Sequence, residues 1–282
     1  MGCNSIKNNL SKDDIISDIK LCLGADIYRE NVFVLAEGAG DVSFLRKFLS
    51  ENVLLYESYD GKIGVEVIVN EVFGEYINVI GIRDKDYEIG NSGEKIFKYD
   101  YCCLEMMIIS NDDVFESVCS EYYNGKENHI VLRMHILKEL RLLSVLRMLS
   151  SGNGWNLIFR GLSISKALNK DKEKLNYGDL LYELNNRNRG FLSRYATELI
   201  GHNWAKEFRY EELLDVTQGH DFSMLFTALC EINKEASIKS VKYDVIEGSL
   251  RCGFRKEDFS KTGLYKHILD YGGRYNLNIL CC

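Results

Sequence analysis

The chain has 282 residues, a formal net charge of −7, 46% hydrophobic residues and 27% charged residues, proportions ordinary for a globular protein. That length buries a sizeable core as one large domain or two modest ones, and the composition excludes disorder, collagen and coiled coil. The absence of proline excludes proline-rich linkers and PxxP ligands.

In chain order, the spacing predicts a helix from Asp13 to Leu23. The nearly continuous apolar run Asn31–Ala36 reads as a strand buried on both faces, ending at Glu37-Gly38. Asp41 to Leu49 reads as a helix with Val42, Leu45, Phe48 and Leu49 on one face. Val53–Tyr56 is a second strand. A turn at Gly61–Gly64 leads into a helix through Val65, Ile68, Val69 and Val72, and Tyr76–Ile82 is a third strand ending at Arg83-Asp84-Lys85-Asp86. Strands separated by helical crossovers run parallel, with the helices over the sheet faces. A polar loop at 88–98 precedes the apolar stretch Tyr99–Ile109. Beyond 129 the pattern is helical: a long amphipathic stretch spans Ile130–Leu149, shorter helices follow to about 209, and Gln218-Gly219-His220-Asp221 precedes a further helical run. The expected architecture is an α/β parallel sheet flanked by helices, with a mainly helical remainder. The segments are 1–125 (α/β core), 126–210 (helical and basic) and 211–282 (mixed, able to pack back on the core).

Charge divides unevenly. Residues 1–128 hold 12 Lys and Arg against 24 Asp and Glu, whereas residues 129–210 hold 14 against 7. Nine cysteines, an odd number without a CxxC spacing, argue against a disulfide framework or a zinc ribbon and suit a reducing cytosol. Without a signal-like segment or an apolar run near 18 residues, the expectation is a soluble cytoplasmic protein with no membrane association.

The chemistry suggested by the first half is acidic. Ligands of parallel α/β sheets sit beyond the carboxyl ends of the strands, and Glu37, Asp84 and Asp86 stand at two such ends. If the backbone stays extended, Asp84 and Asp86 point the same way. Asp41, four residues after Glu37, turns back toward the same place if a helix starts near Gly38, a residue suited to a tight turn. Carboxylates gathered in one pocket repel unless a cation neutralises them. Hard oxygen donors suit Mg²⁺ or Mn²⁺ and phosphoryl-transfer chemistry. The competing reading of each is bland: a solvated Asp-x-Asp loop and a common Glu-Gly strand end.

Val34-Leu-Ala-Glu37-Gly-Ala-Gly-Asp41-Val-Ser-Phe44 resembles the opening motif of the Toprim fold, and Ile80-Gly-Ile-Arg-Asp84-Lys-Asp86-Tyr87 its D-x-D motif. Tyr101-Cys-Cys-Leu-Glu105-Met-Met-Ile, Gly61-Lys62 and Gly219-His220-Asp221 are similar to segments of one Toprim branch. That bacterial family of undefined function includes the nuclease subunit of PARIS anti-phage systems and is related to the overcoming-lysogenisation-defect nucleases. Ala36 and Met106-Met107 depart from the pattern without touching a carboxylate. The resemblance implies a metal-dependent nuclease of phage defence that cleaves host nucleic acid, with transfer RNA as the best-matched substrate. It also implies an ATPase partner that holds the chain inactive, and a homodimer after release.

On that resemblance Asp84 and Asp86 bind the metal, Glu37 ligates it or acts as general acid or base, and Asp41 and Glu105 complete a second metal site or an outer shell. Lys62 contacts a phosphate and His220 shuttles a proton. A solvated turn lysine and a structural histidine are the plain alternatives; His129, His135, His202 and His267 read as structural. The basic segment offers Arg133, Lys138, Arg141 and Arg147 on one helix and Arg187 and Arg189 in a loop, with Trp155, Tyr177, Tyr182, Tyr195 and Trp204 as stacking candidates. Two other classes stay open: a non-catalytic Toprim subunit that docks on an ATPase, and a nuclease acting on DNA.

Overall fold

The computed structural model of the chain describes residues 11–88, 90, 93–195, 207–234 and 240–281. Cys3, Trp204, His202 and Cys282 lie outside the described residues. The chain divides into two compact units. Unit 1 comprises 1–85, 89–104 and 254–282, and unit 2 comprises 86–88 and 105–253. The cuts fall at 104/105 and 253/254 rather than near 125 and 210, because burial assigns the C-terminal stretch to the core of unit 1.

Unit 1 is built on a four-stranded sheet of order β2-β1-β3-β4, parallel throughout: β1 Val32–Ala36, β2 Val53–Glu57, β3 Val79–Arg83 and β4 Ile96–Lys98. The α/β reading holds. Every residue of β1 and β3 is buried, as expected for central strands covered on both faces. Helix α1 (Lys12–Ala25) starts at a capping box between Ser11 and Asp14. It buries Ile15 and Ile19 against Phe33, Leu35, Val69 and Phe73. Helix α2 (Ala39–Leu45) follows β1, and α3 (Gly61–Glu66) continues as a π-helical turn, Val67–Val72, closed by the Phe73 N–H donating to the Ile68 carbonyl at 3.0 Å. At Gly81 in β3, a Cβ would stand 2.5 Å from Val65 Cγ1, so this helix packs on the sheet only because that position lacks a side chain.

β4 lies inside the stretch expected to be a polar loop. Lys95, immediately before it, extends its ammonium to the carbonyls of Val69, Phe73, Gly74 and Tyr76 at 2.6–3.3 Å. The lysine thus ends the π-helical turn with a cation where orphan carbonyls collect. Burial holds its pKa below the ordinary lysine range. The C-terminal residues complete the unit. Asp100 accepts from the N–H groups of Gly263 and Leu264 at 2.8 and 2.9 Å, at the start of a helix running Gly263–Tyr275. Tyr271 donates to the Ile77 carbonyl at 2.7 Å. Phe254 and Phe259 pack around Phe44 and Phe48.

Unit 2 is helical around α6 (His129–Gly152), which buries Leu132, Ile136, Leu140, Leu143 and Leu146. Before it come α4 (Leu104–Ile109), which enters the unit at Glu105, and α5 (Asp112–Tyr122). After it come α7 (Ile164–Ala167), a short hairpin of β5 (Leu168–Asn169) and β6 (Lys174–Leu175), α8 (Tyr177–Arg187), α9 (Tyr210–Val216), α10 (Gly219–Asn233) and α11 (Tyr243–Gly253). Gln218 is the N-cap of α10, so Gly219-His220-Asp221 is its first turn rather than a loop before it. Among the described residues no helix is long and apolar enough to cross a membrane.

Candidate functional site

β1 and β3 are adjacent and parallel, with Ala36 paired to Ile82. From β1 the chain crosses to β2 on one side and then to β3 on the other. The crevice beyond the carboxyl ends of β1 and β3 is therefore the topological switch point, where open α/β sheets bind ligands. Glu37 and Asp84 are the first residues past those two strands. The Asp84 N–H donates to Glu37 Oε2 at 3.2 Å, and Asp84 Oδ1 accepts from the Leu104 N–H at 3.0 Å. Both carboxylates are half-buried and oriented by main-chain donors, the kind of support that fixes ligating carboxylates.

Arg83, the last residue of β3, is fully buried. It pairs with Glu66 at 2.7 Å and donates to the Asp84 carbonyl at 2.7 Å, so the backbone carrying Asp84 is braced from below. Gly61 adopts a left-handed φ of 50°, and a Cβ there would lie 3.6 Å from Glu37 Oε1. The first residue of α3 thus passes against the Glu37 carboxylate, and Lys62 follows it in the helix. Arg83 and Gly61 stand within the motif segments, but nothing in the sequence pointed to these supporting roles.

Two geometric expectations are corrected. Gly38 has φ −150°, ψ 176°, extended backbone open to any residue, so it is not needed for a tight turn. Asp41 does turn back, and its Oδ2 accepts from the Gly38 N–H at 3.1 Å, capping α2. The extended backbone expected through Asp84-Lys85-Asp86 is absent. β3 stops at Arg83, and Asp86 has a left-handed φ of 51°, so the two-residue spacing gives the carboxylates no common direction.

Unit 2 holds the other predicted residues. Asp86 accepts from Gln218 Nε2 at 3.1 Å. Glu105 lies against Gly219: a Cβ on Gly219 would stand 2.4 Å from Glu105 Cβ and 2.6 Å from its Oε2. Arg251 Nη1 is 3.8 Å from Glu105 Oε1. Asp221, almost fully buried, takes both arms of Arg147, at 2.7 and 2.8 Å, and the Arg147 guanidinium covers the Phe159 ring. The N-cap and first turn of α10 therefore meet Asp86 through Gln218, Glu105 through Gly219 and Arg147 through Asp221. Gln218 and Arg251 were invisible to sequence reading, because their partners are far along the chain.

His220 is exposed, its ring edge-on to Tyr243 and its Nδ1 3.6 Å from Glu247 Oε1. The Glu247 carboxylate raises its pKa above the ordinary histidine value, against a smaller opposing effect of burial. The stabilisation from this pair is complete below the unfolded histidine value of about 6.5 and is lost as pH rises through the raised folded value. Glu247→Gln is expected to bring the His220 titration, followed by imidazole NMR shifts, back toward that ordinary value. An unmoved midpoint would show that the carboxylate does not control it.

The basic residues sort differently from their pattern in sequence. Arg133 is buried, 4% exposed, donating to the Ile109 carbonyl at 2.8 Å and paired with Asp112 at 2.5 Å, so it is a structural cation and not a phosphate contact. Arg147 is committed to Asp221. Arg187 donates to the carbonyls of Arg160 and Gly161 and pairs with Glu183, tying a loop to α8. Lys138 and Arg189 are exposed and Arg141 is half-buried. Trp155 and Tyr195 stack on each other, with ring centroids 4.3 Å apart, against a cluster that also holds Tyr177. Tyr182 is 69% exposed.

Among the described residues no group of three or more His, Cys, Asp or Glu side chains is placed to hold a metal ion. Mg²⁺ is commonly held by only one or two carboxylates, with water and substrate phosphate completing its shell. Glu37 and Asp84 meet that requirement in donor type. No family model matches the chain, and no curated protein matches it.

Proposed function

We propose that the chain is a metal-dependent nuclease, the Toprim-type effector of a bacterial anti-phage system, which cleaves host RNA with transfer RNA as its foremost substrate. The observation that carries the reading is the pair of carboxylates, Glu37 and Asp84, at the switch point of a parallel sheet, linked through the Asp84 N–H. Glu37 and Asp84 hold a Mg²⁺ or Mn²⁺ ion, and Asp41 caps the helix that follows Glu37; the motif resemblance adds Asp86 and Glu105 to the acidic set. When bound, such an ion neutralises charge developing on a phosphodiester in the transition state. Glu37 also serves to accept or return a proton, Lys62 meets a substrate phosphate, and His220 exchanges protons near neutral pH. The motif resemblance supplies the rest: a cytoplasmic protein held by an ABC-type ATPase subunit until infection and homodimeric on release.

The test is to sequence RNA ends from cells expressing the chain or its Glu37→Ala variant. A discrete set of tRNA cuts present only with the parent is the expected result. Cuts in DNA alone would move the substrate assignment. An absence of cuts with both proteins in the uninhibited state would replace the enzyme by a docking subunit.

A further inference from the structure

The β5–β6 hairpin in unit 2 carries Lys170, Lys172 and Lys174, with Lys166 just before it and Lys138 on α6. All five are exposed, and none forms an ion pair with another described residue. The hairpin is fixed in place. His135 Nε2 lies 2.9 Å from the Glu173 carbonyl, the Leu175 N–H donates to Glu139 at 2.7 Å, and Asn233 donates to the Glu173 carboxylate at 3.3 Å. Asp171 and Glu173 are the acids of the hairpin itself, and Glu173 is engaged with Asn233. Beside the hairpin opens a groove of about 700 Å³. Leu168, Met224, Ala228 and Ile232 give it an apolar lining, Ser165 and Thr227 add hydroxyls, and Lys170 and Tyr243 stand at it; the one acid in the lining, Glu231, is paired with Lys234 at 2.8 Å. Tyr243 is 40% exposed.

We infer that this hairpin and groove bind single-stranded RNA: the lysines follow the phosphate backbone and an unstacked base enters the groove against Tyr243. The occupant is argued from charge and shape. Unpaired surface lysines in a row track a polyanion. An apolar, aromatic-edged groove takes the π-face of a splayed base, the usual target of RNA recognition. The inference deepens the nuclease reading by naming the surface that holds its substrate, and rests on that reading for the choice of RNA. It also reassigns the basic surface from Arg133, Arg147 and Arg187, which the fold consumes, to lysines that it does not.

The experiment measures binding without cleavage. Full-length Glu37→Ala protein is titrated by fluorescence anisotropy against a short labelled oligouridine over a range of salt concentrations. The same is done for that protein carrying Lys170→Ala, Lys172→Ala and Lys174→Ala together, or Tyr243→Ala, or Tyr243→Phe. Loss of three phosphate contacts lowers the slope of log Kd against log salt by about 2, at roughly 0.7 per contact for a single strand. Tyr243→Ala weakens binding roughly 5- to 150-fold, the range for one lost stacking contact, and Tyr243→Phe retains it. An unchanged slope in the triple variant, or an unchanged Kd in Tyr243→Ala, overturns the inference, as does a parent protein that binds no oligonucleotide and captures its ATPase partner through this face. Cleavage that survives Glu37→Ala would defeat the catalytic assignment while leaving this titration readable.

Discussion

Glu37→Gln is expected to slow RNA cleavage by on the order of 10³-fold, the loss of about 4 kcal/mol of transition-state stabilisation, with little change in thermal stability. The substitution keeps the side chain's length and an oxygen that can still accept the Asp84 N–H, now 3.2 Å from Glu37 Oε2; what it removes is the charge. Asp84→Asn is matched in the same way, because its remaining oxygen can still accept from the Leu104 N–H. A cation site built on these two residues predicts that both variants need higher Mg²⁺ to reach half-maximal single-turnover rate. A Glu37→Gln variant that cuts at the parental rate and with the parental Mg²⁺ dependence would remove Glu37 from the chemistry.

The largest expected effect on stability lies in the aromatic cluster that the C-terminal residues close in the same unit. Phe44→Ala should cost about 3–5 kcal/mol, the range for truncating a buried aromatic. Phe44 is fully buried. Its ring stands 4.9 Å from Phe48, 5.7 Å from Phe254, 6.1 Å from Phe259 and 6.3 Å from Tyr99, so no single neighbour can move in to fill the space. Urea unfolding with hydrogen exchange read at the amides of β1 and β3 measures the loss. A change under about 1 kcal/mol would mean that this cluster relaxes far more than interiors ordinarily do. Phe44→Leu retains much of the volume and is expected to lose less.

The elements legible in sequence are those whose signal is local. β1 and β3 are continuous apolar runs because both faces are covered, and α6 announces itself by length and periodicity. Glu37 and Asp84 could be placed at the carboxyl ends of two parallel strands once the crossovers were read as helical; that the two strands are neighbours came from the sheet order. β4 escaped because three residues with two apolar members between lysines, Lys95-Ile96-Phe97-Lys98, carry too little pattern; the strand exists through its pairing with β3. The π-helical turn escaped because a widened ring of hydrogen bonds leaves no mark on hydrophobic spacing. The arginines misled for a different reason: a charge count cannot tell a guanidinium in solvent from one, like Arg133, that is buried and paired. The partners Gln218 and Arg251 are set by contacts with residues 132 and 146 positions away, a separation at which spacing carries no information.

Unit 1 is discontinuous, and that has a consequence for the order in which the protein is made. Residues 105–253 are synthesised between the sheet and the aromatic side chains that close its core. At about 5–20 residues per second, unit 2 is complete in sequence while Phe44 and Phe48 still await Phe254 and Phe259. The two carboxylates at the switch point therefore sit on an unfinished scaffold through most of translation. The acidic pair acquires its settled surroundings only when the closing residues arrive, so the α/β unit completes its core after the residues of unit 2 have been made.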